Sequence, residues 1–89
     1  MFHKYFAEFL GTCFFVFVIL TTNNSLAIGA ALALVIMLLK SVSGGYANPV
    51  VSVVMASMGQ MQITDLFPYI LAQIFGGLTA LELYKRFYR

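Results

Sequence analysis

Residues 43–52, SGGYANPVVS, set two glycines, an asparagine and a proline in an apolar chain that resumes at once with Val50, Val51, Val53 and Val54. A turn between two helices accounts for Gly-Gly and Asn-Pro, but such turns sit among polar residues in water. This one has apolar sequence on both sides, which places the break inside a membrane. Composition agrees: of 89 residues 62% are hydrophobic, 16% aromatic and 9% charged, where a soluble domain has about a quarter charged. The expected class is an all-α integral membrane protein with membrane lipid as its surroundings.

A helix that crosses the hydrocarbon layer needs about 20 residues, with about 17 to 25 the working range. Three stretches have that length: residues 5–22, 26–43 and 65–84. The first two are separated by TTNNS (21–25), a polar turn suited to an antiparallel helical hairpin. The third ends in LYKRFYR (83–89), a band of tyrosines and cations that fits the headgroup level. Between them, residues 49–58 are apolar and helix-compatible but would reach only about 15 Å, half a bilayer. Proline is tolerated at the first position of a helix and asparagine is a favoured N-cap, so Asn48-Pro49 predicts a helix start. Gly44 and Gly45 permit positive φ and leave carbonyls unpaired, which a membrane tolerates only where the chain is buried in protein or lines a water-filled cavity. A re-entrant loop followed by a half-helix meets all of these constraints, and the whole chain reads as one membrane domain.

Small residues recur at four-residue spacing: Ala7 and Gly11, Ala27 and Ala31, then Ala72, Gly76 and Ala80. They let helix backbones approach closely in lipid, so a tight bundle is expected, with Gly11 and Gly76 as packing positions. Lys4 precedes the apolar run 9–20, but Glu8 and the lack of a small-x-small cleavage pattern predict a retained span and not a leader peptide. Cys13, the single cysteine, reads as a small core residue. Five scattered cations against Glu8, Asp65 and Glu82 form no basic patch, which argues against a nucleic-acid partner. With His3 near the terminus and no nucleophile–base or multi-carboxylate pattern, no catalytic role, metal or cofactor is expected.

A half-helix that starts at mid-membrane presents unpaired N–H groups and the positive end of a helix dipole, equivalent to about half a unit charge. Such a site repels cations. The Asn48 side-chain amide adds donors, so small neutral polar molecules could exchange their hydrogen bonds there. At this point AEFLGT (7–12), SLAIG (25–29), SGGYANPVVS (43–52) and AQIFGG (72–77) carry a resemblance. In order and spacing they resemble the first half of an aquaporin or aquaglyceroporin, a likeness that covers essentially the whole chain. The resemblance implies a passive channel for water or small neutral solutes such as glycerol, with Asn48, Pro49 and Val50 as the pore motif. It also implies that Glu8 braces the loop from the first helix and that Gln73 does so from the third span. A carboxylate within a span costs about 2.5 to 3.5 kcal/mol on insertion scales, which gives Glu8 an independent reason to have a partner; reaching up to the headgroups is the alternative.

The family builds one pore from two inverted halves, whereas one Asn-Pro motif stands here. The simplest completion is a second copy inserted upside down, an antiparallel dimer of the kind that internal inverted repeats mimic, although a separately encoded other half would serve equally well; the resemblance implies that four such pores could cluster. Aligned by spacing, the constriction would be formed by Ile28 of one subunit with Ile36, Gly45 and Val51 of the other. Val51 stands where the family's second half usually carries an arginine, so an apolar ring and glycerol-like co-permeants are expected; Lys40 is read as a cation reaching the interface. Two readings compete: a non-conducting relic or regulatory subunit of full-length channels, and a small dual-topology transporter using Glu8 as its pathway carboxylate. Lys4 and Lys40 on one side face Lys85, Arg86 and Arg89 on the other, too even a split to fix orientation. A C-terminal reporter is therefore expected on both faces of the membrane; a reporter on one face only, with protein that still conducts alone, excludes the antiparallel dimer.

Overall fold

The computed structural model describes residues 2–88; Met1 and Arg89, the latter one of the cations counted above, lie outside the described residues. Four helices follow one another: α1 (Phe2–Thr21), α2 (Ser25–Leu39), α3 (Pro49–Ser57) and α4 (Ile63–Tyr88). No strand occurs among the described residues. The α1–α2 turn is tied by Asn24, an N-cap whose Oδ1 accepts from the Leu26 and Ala27 N–H groups at 2.9 and 3.0 Å. This satisfies two of the donors that a helix start leaves open.

Helix α2 is shorter than the apolar run that contains it. It stops at Leu39, whose carbonyl accepts N–H groups from Val42, Ser43 and Gly44 at 2.9, 2.9 and 3.1 Å. Those three bonds curl residues 40–43 into a turn and leave a helix of 15 residues, about 22 Å long. Helix α3 has 9 residues, about 14 Å. Helix α4 runs for 26 residues through Pro68, which removes only the N–H directed at the Thr64 carbonyl in the opening turns. Helices α1 and α4 are long and apolar enough to cross a membrane; α2 is more apolar still but shorter.

Helix α1 is the centre of the bundle, with α4 on one side and α2 on the other, while α3 packs on α4. Close approach depends on small side chains. A Cβ at Gly76 would lie 2.5 Å from the Phe9 carbonyl oxygen, and one at Gly11 would lie 2.7 Å from Leu39 Cδ1. Ala80 is completely buried, as nearly are Ala7 and Ala31; Ala27 is exposed and serves no packing face within the chain.

The distribution of polarity is reversed relative to a water-soluble fold. Glu8, Thr12, Ser43, Ser52, Asp65 and Gln73 are buried, whereas Phe2, Leu26, Met37, Val50 and Phe67 stand exposed. An apolar exterior around a polar interior is what a hydrocarbon solvent selects, because each unpaired polar group facing lipid costs several kcal/mol. The Gly76 contact is with backbone, which cannot swing aside. Gly76→Ala is therefore expected to destabilise the fold by about 1 to 3 kcal/mol, while Gly29→Ala, where nothing lies within 4 Å of the added Cβ, is tolerated. Thermal or denaturant unfolding of the two variants in detergent checks the contrast.

Candidate functional site: a polar core beneath the Asn48 tip

The loop between α2 and α3 has no repeating hydrogen-bond pattern of its own, so its polar groups must find partners elsewhere. Three residues carry positive φ: Gly44 at 98°, Gly45 at 64° and Ala47 at 51°. Gly45 also has to pass α2 closely, because a Cβ there would lie 3.0 Å from Ile36 Cα. Ala47 is the unusual member, a buried alanine held in the left-handed region. Its N–H is directed at Glu8 Oε1, 2.8 Å away.

Glu8, 1% exposed, organises the site. Its Oε1 accepts from the Ala47 N–H and from Gln73 Nε2 at 2.8 and 2.9 Å. Its Oε2 accepts from the Ser43 hydroxyl and the Tyr46 N–H at 2.7 and 3.1 Å. One carboxylate on α1 thus holds both ends of the loop and a side chain of α4. The Gln73 amide nitrogen donates to Glu8 and to Ser52 Oγ at 2.9 and 2.8 Å, so its hydrogen bonds reach the loop through Glu8. From below, the Tyr69 hydroxyl donates to the Ser43 carbonyl at 2.7 Å. Tyr69 in turn meets Tyr5 edge-on, and Tyr5 donates to Asp65 Oδ1 at 2.7 Å while Lys4 pairs with Asp65 Oδ2 at the same distance.

At the tip, Asn48 caps α3 with extended backbone and Pro49 occupies the first turn. The Asn48 Oδ1 accepts the Val50 N–H at 2.8 Å. That bond commits the side-chain oxygen to the helix start and leaves the Nδ2 donors, on an exposed residue, without a partner among the described residues. A groove of about 410 Å³ runs beside the tip, lined by Thr12, Phe15, Asn48, Pro49, Gln73 and Gly77 among others. Two buried oxygens, Thr12 Oγ1 and Gln73 Oε1, have no hydrogen-bond partner among the described residues, and both residues belong to this groove.

Of the residues proposed for a constriction, Gly45 lies against Ile36. Ile28 is two helical turns away on α2, about 12 Å along the axis from Ile36. Val51 is half-buried on the first turn of α3, and Lys40 borders a separate polar cavity of about 430 Å³ with Lys4, Tyr46 and Asp65. Sequence reasoning passed over Ser43, Ser52, Asp65 and Tyr69. A signal existed: the buried positions of α4 are Asp65, Tyr69, Gln73, Gly76 and Ala80, a single stripe at helical spacing. Polar residues on the same stripe as Gln73 point to one shared interior.

The chain is similar to known proteins along its length. The family described as Major intrinsic protein matches residues 1–89. Aquaporin-8 of Notomys alexis is 38% identical over 89 residues, covering 88% of this chain and 34% of that protein. The glycerol uptake facilitator protein-like 6 of Lactiplantibacillus plantarum is 38% identical over 93 residues, covering 94% of this chain and 43% of that protein. The aquaglyceroporin AqpS of Rhizobium meliloti is 35% identical over 60 residues, 67% of this chain and 26% of that protein. The chain thus spans between about a quarter and under half the length of these relatives. No solved structure matches it. On the match along its whole length, the chain belongs to the major intrinsic protein family, whose members are integral membrane channels and not enzymes.

Proposed function

We propose that this chain is a subunit of a passive membrane channel for water and small neutral solutes such as glycerol. The observation that carries the reading is the donor-only tip: the Asn48 Oδ1 is tied to the Val50 N–H, so the free side-chain atoms are Nδ2 donors at the N-terminus of a helix. Donors and a positive dipole end attract the oxygen of a neutral molecule and repel cations. In this reading α1, α2 and α4 cross the membrane, the loop re-enters it, and α3 returns from about its middle. Asn48, Pro49 and Val50 form the pore motif, and Ile28, Ile36, Gly45 and Val51 the constriction.

The pore is completed by a second copy inserted upside down, so that the two half-helices meet tip to tip. The groove beside Asn48, with its two unpartnered buried oxygens, is the face such a copy would cover. Without an arginine at Val51, the constriction of a homodimer is apolar at both mouths and admits carbon backbones beside water.

Liposomes containing only this purified chain test the proposal by osmotic shrinkage. Water efflux above that of empty vesicles, cut by about tenfold in Asn48→Ala, is expected if one lost hydrogen bond at the tip costs about 1.4 kcal/mol. Efflux no faster than empty vesicles, from protein shown to be folded, excludes the self-paired pore and leaves the channel reading to a partner that supplies the inverted half.

A further inference from the structure

We infer that Ser52 is a positioning residue for the Asn48 tip, the link through which α4 sets the direction of the half-helix. Ser52 is fully buried in the first turn of α3. Its Oγ receives a hydrogen bond from Gln73 Nε2 at 2.8 Å and lies 3.1 Å from the Asn48 carbonyl oxygen. The proton directions are fixed by chemistry. An amide nitrogen can only donate and a carbonyl can only accept, so the Ser52 proton points at Asn48. Gln73 spends its other amide proton on Glu8 Oε1 at 2.9 Å. Donors therefore run in one sense from Gln73 to Ser52 to Asn48.

The Asn48 carbonyl accepts twice from the same residue, from the Ser52 N–H at 3.0 Å and from its hydroxyl. Together with the Val50 N–H on Oδ1, this fixes both oxygens of Asn48. Of its side-chain polar atoms, only Nδ2 is without a partner among the described residues. Ser52 to Gln73 is also the one side-chain hydrogen bond that joins α3 to another helix among the described residues. Removing the hydroxyl changes the volume little, yet it strands a buried Gln73 proton and releases the second bond on Asn48. The loss falls on direction more than on packing. Only the permeation arm of this inference rests on the channel reading above.

The test follows the Asn48 side-chain amide in ¹⁵N–¹H spectra of the full chain in detergent, assigned by its absence in Asn48→Ala, together with water efflux from liposomes. Ser52→Ala is expected to shift and broaden the Asn48 amide pair and to cut efflux per folded protein by about threefold or more, the effect of losing one modest hydrogen bond. Ser52→Thr, which keeps the hydroxyl, restores both. An unchanged Asn48 amide in Ser52→Ala, even with a lowered melting temperature, overturns the inference and leaves Ser52 as packing alone. A moved amide with unchanged efflux overturns it as well, because the direction of the tip then has no bearing on passage. A moved amide in a protein that never conducts, wild type included, upholds the positioning role and excludes the self-paired pore instead. Should Ser52→Ala fail to fold, Ser52→Cys replaces it: its weak thiol is expected to give an intermediate shift, and a spectrum identical to wild type overturns the proposal.

Discussion

One carboxylate holds this molecule together. Glu8 lies in the bundle interior, where an unpaired charge is expensive, and each of its four hydrogen bonds replaces water that the site excludes. The loop it gathers has too many positive-φ residues and too few internal bonds to hold a shape alone. Its conformation is therefore a property of α1 as much as of the loop. Ala47 shows the coupling best: its strained backbone persists because the N–H has a charged acceptor waiting at 2.8 Å.

Around that centre, the bundle separates two kinds of interaction in space. Close contact between α1 and α4 is made by glycine and alanine, which leave backbone against backbone at Gly76. Specificity is made by polar side chains on the same stripe, from Asp65 through Tyr69 to Gln73. Without a hydrophobic drive between helices in lipid, fit and hydrogen bonding carry the association together. The apolar residues that would form the core of a soluble domain lie outside, as the wall that meets hydrocarbon.

Much of this arrangement was legible in the chain. An all-helical apolar protein followed from composition, and a carboxylate within an apolar run announces that it will find partners. A proline directly after an asparagine marks where a helix can begin. What could not be read were the places where tertiary contacts decide. Helix α2 ends at Leu39 because three N–H groups converge on one carbonyl, although nothing in LLKSVS forbids another helical turn. Ala47 in the left-handed region contradicts its own preference, and only the position of Glu8 explains it. Ser52 carries no signal of its own in the chain, since its role depends on Gln73 lying opposite, 21 residues later.

The spacing of Glu8 from its partners has a consequence for how the chain is made. They lie 35, 38, 39 and 65 residues further along. When α1 first leaves the ribosome none of them is yet folded against it, and on the channel reading the carboxylate meets the bilayer unpaired, at a cost of about 3 kcal/mol. The first of these four helices is thus among the last to be settled, its charge waiting near the headgroups or the insertion machinery until α4 arrives with Gln73. Synthesis order and order of completion run in opposite directions, and the carboxylate acts as a timer that is discharged only when the whole bundle is in place.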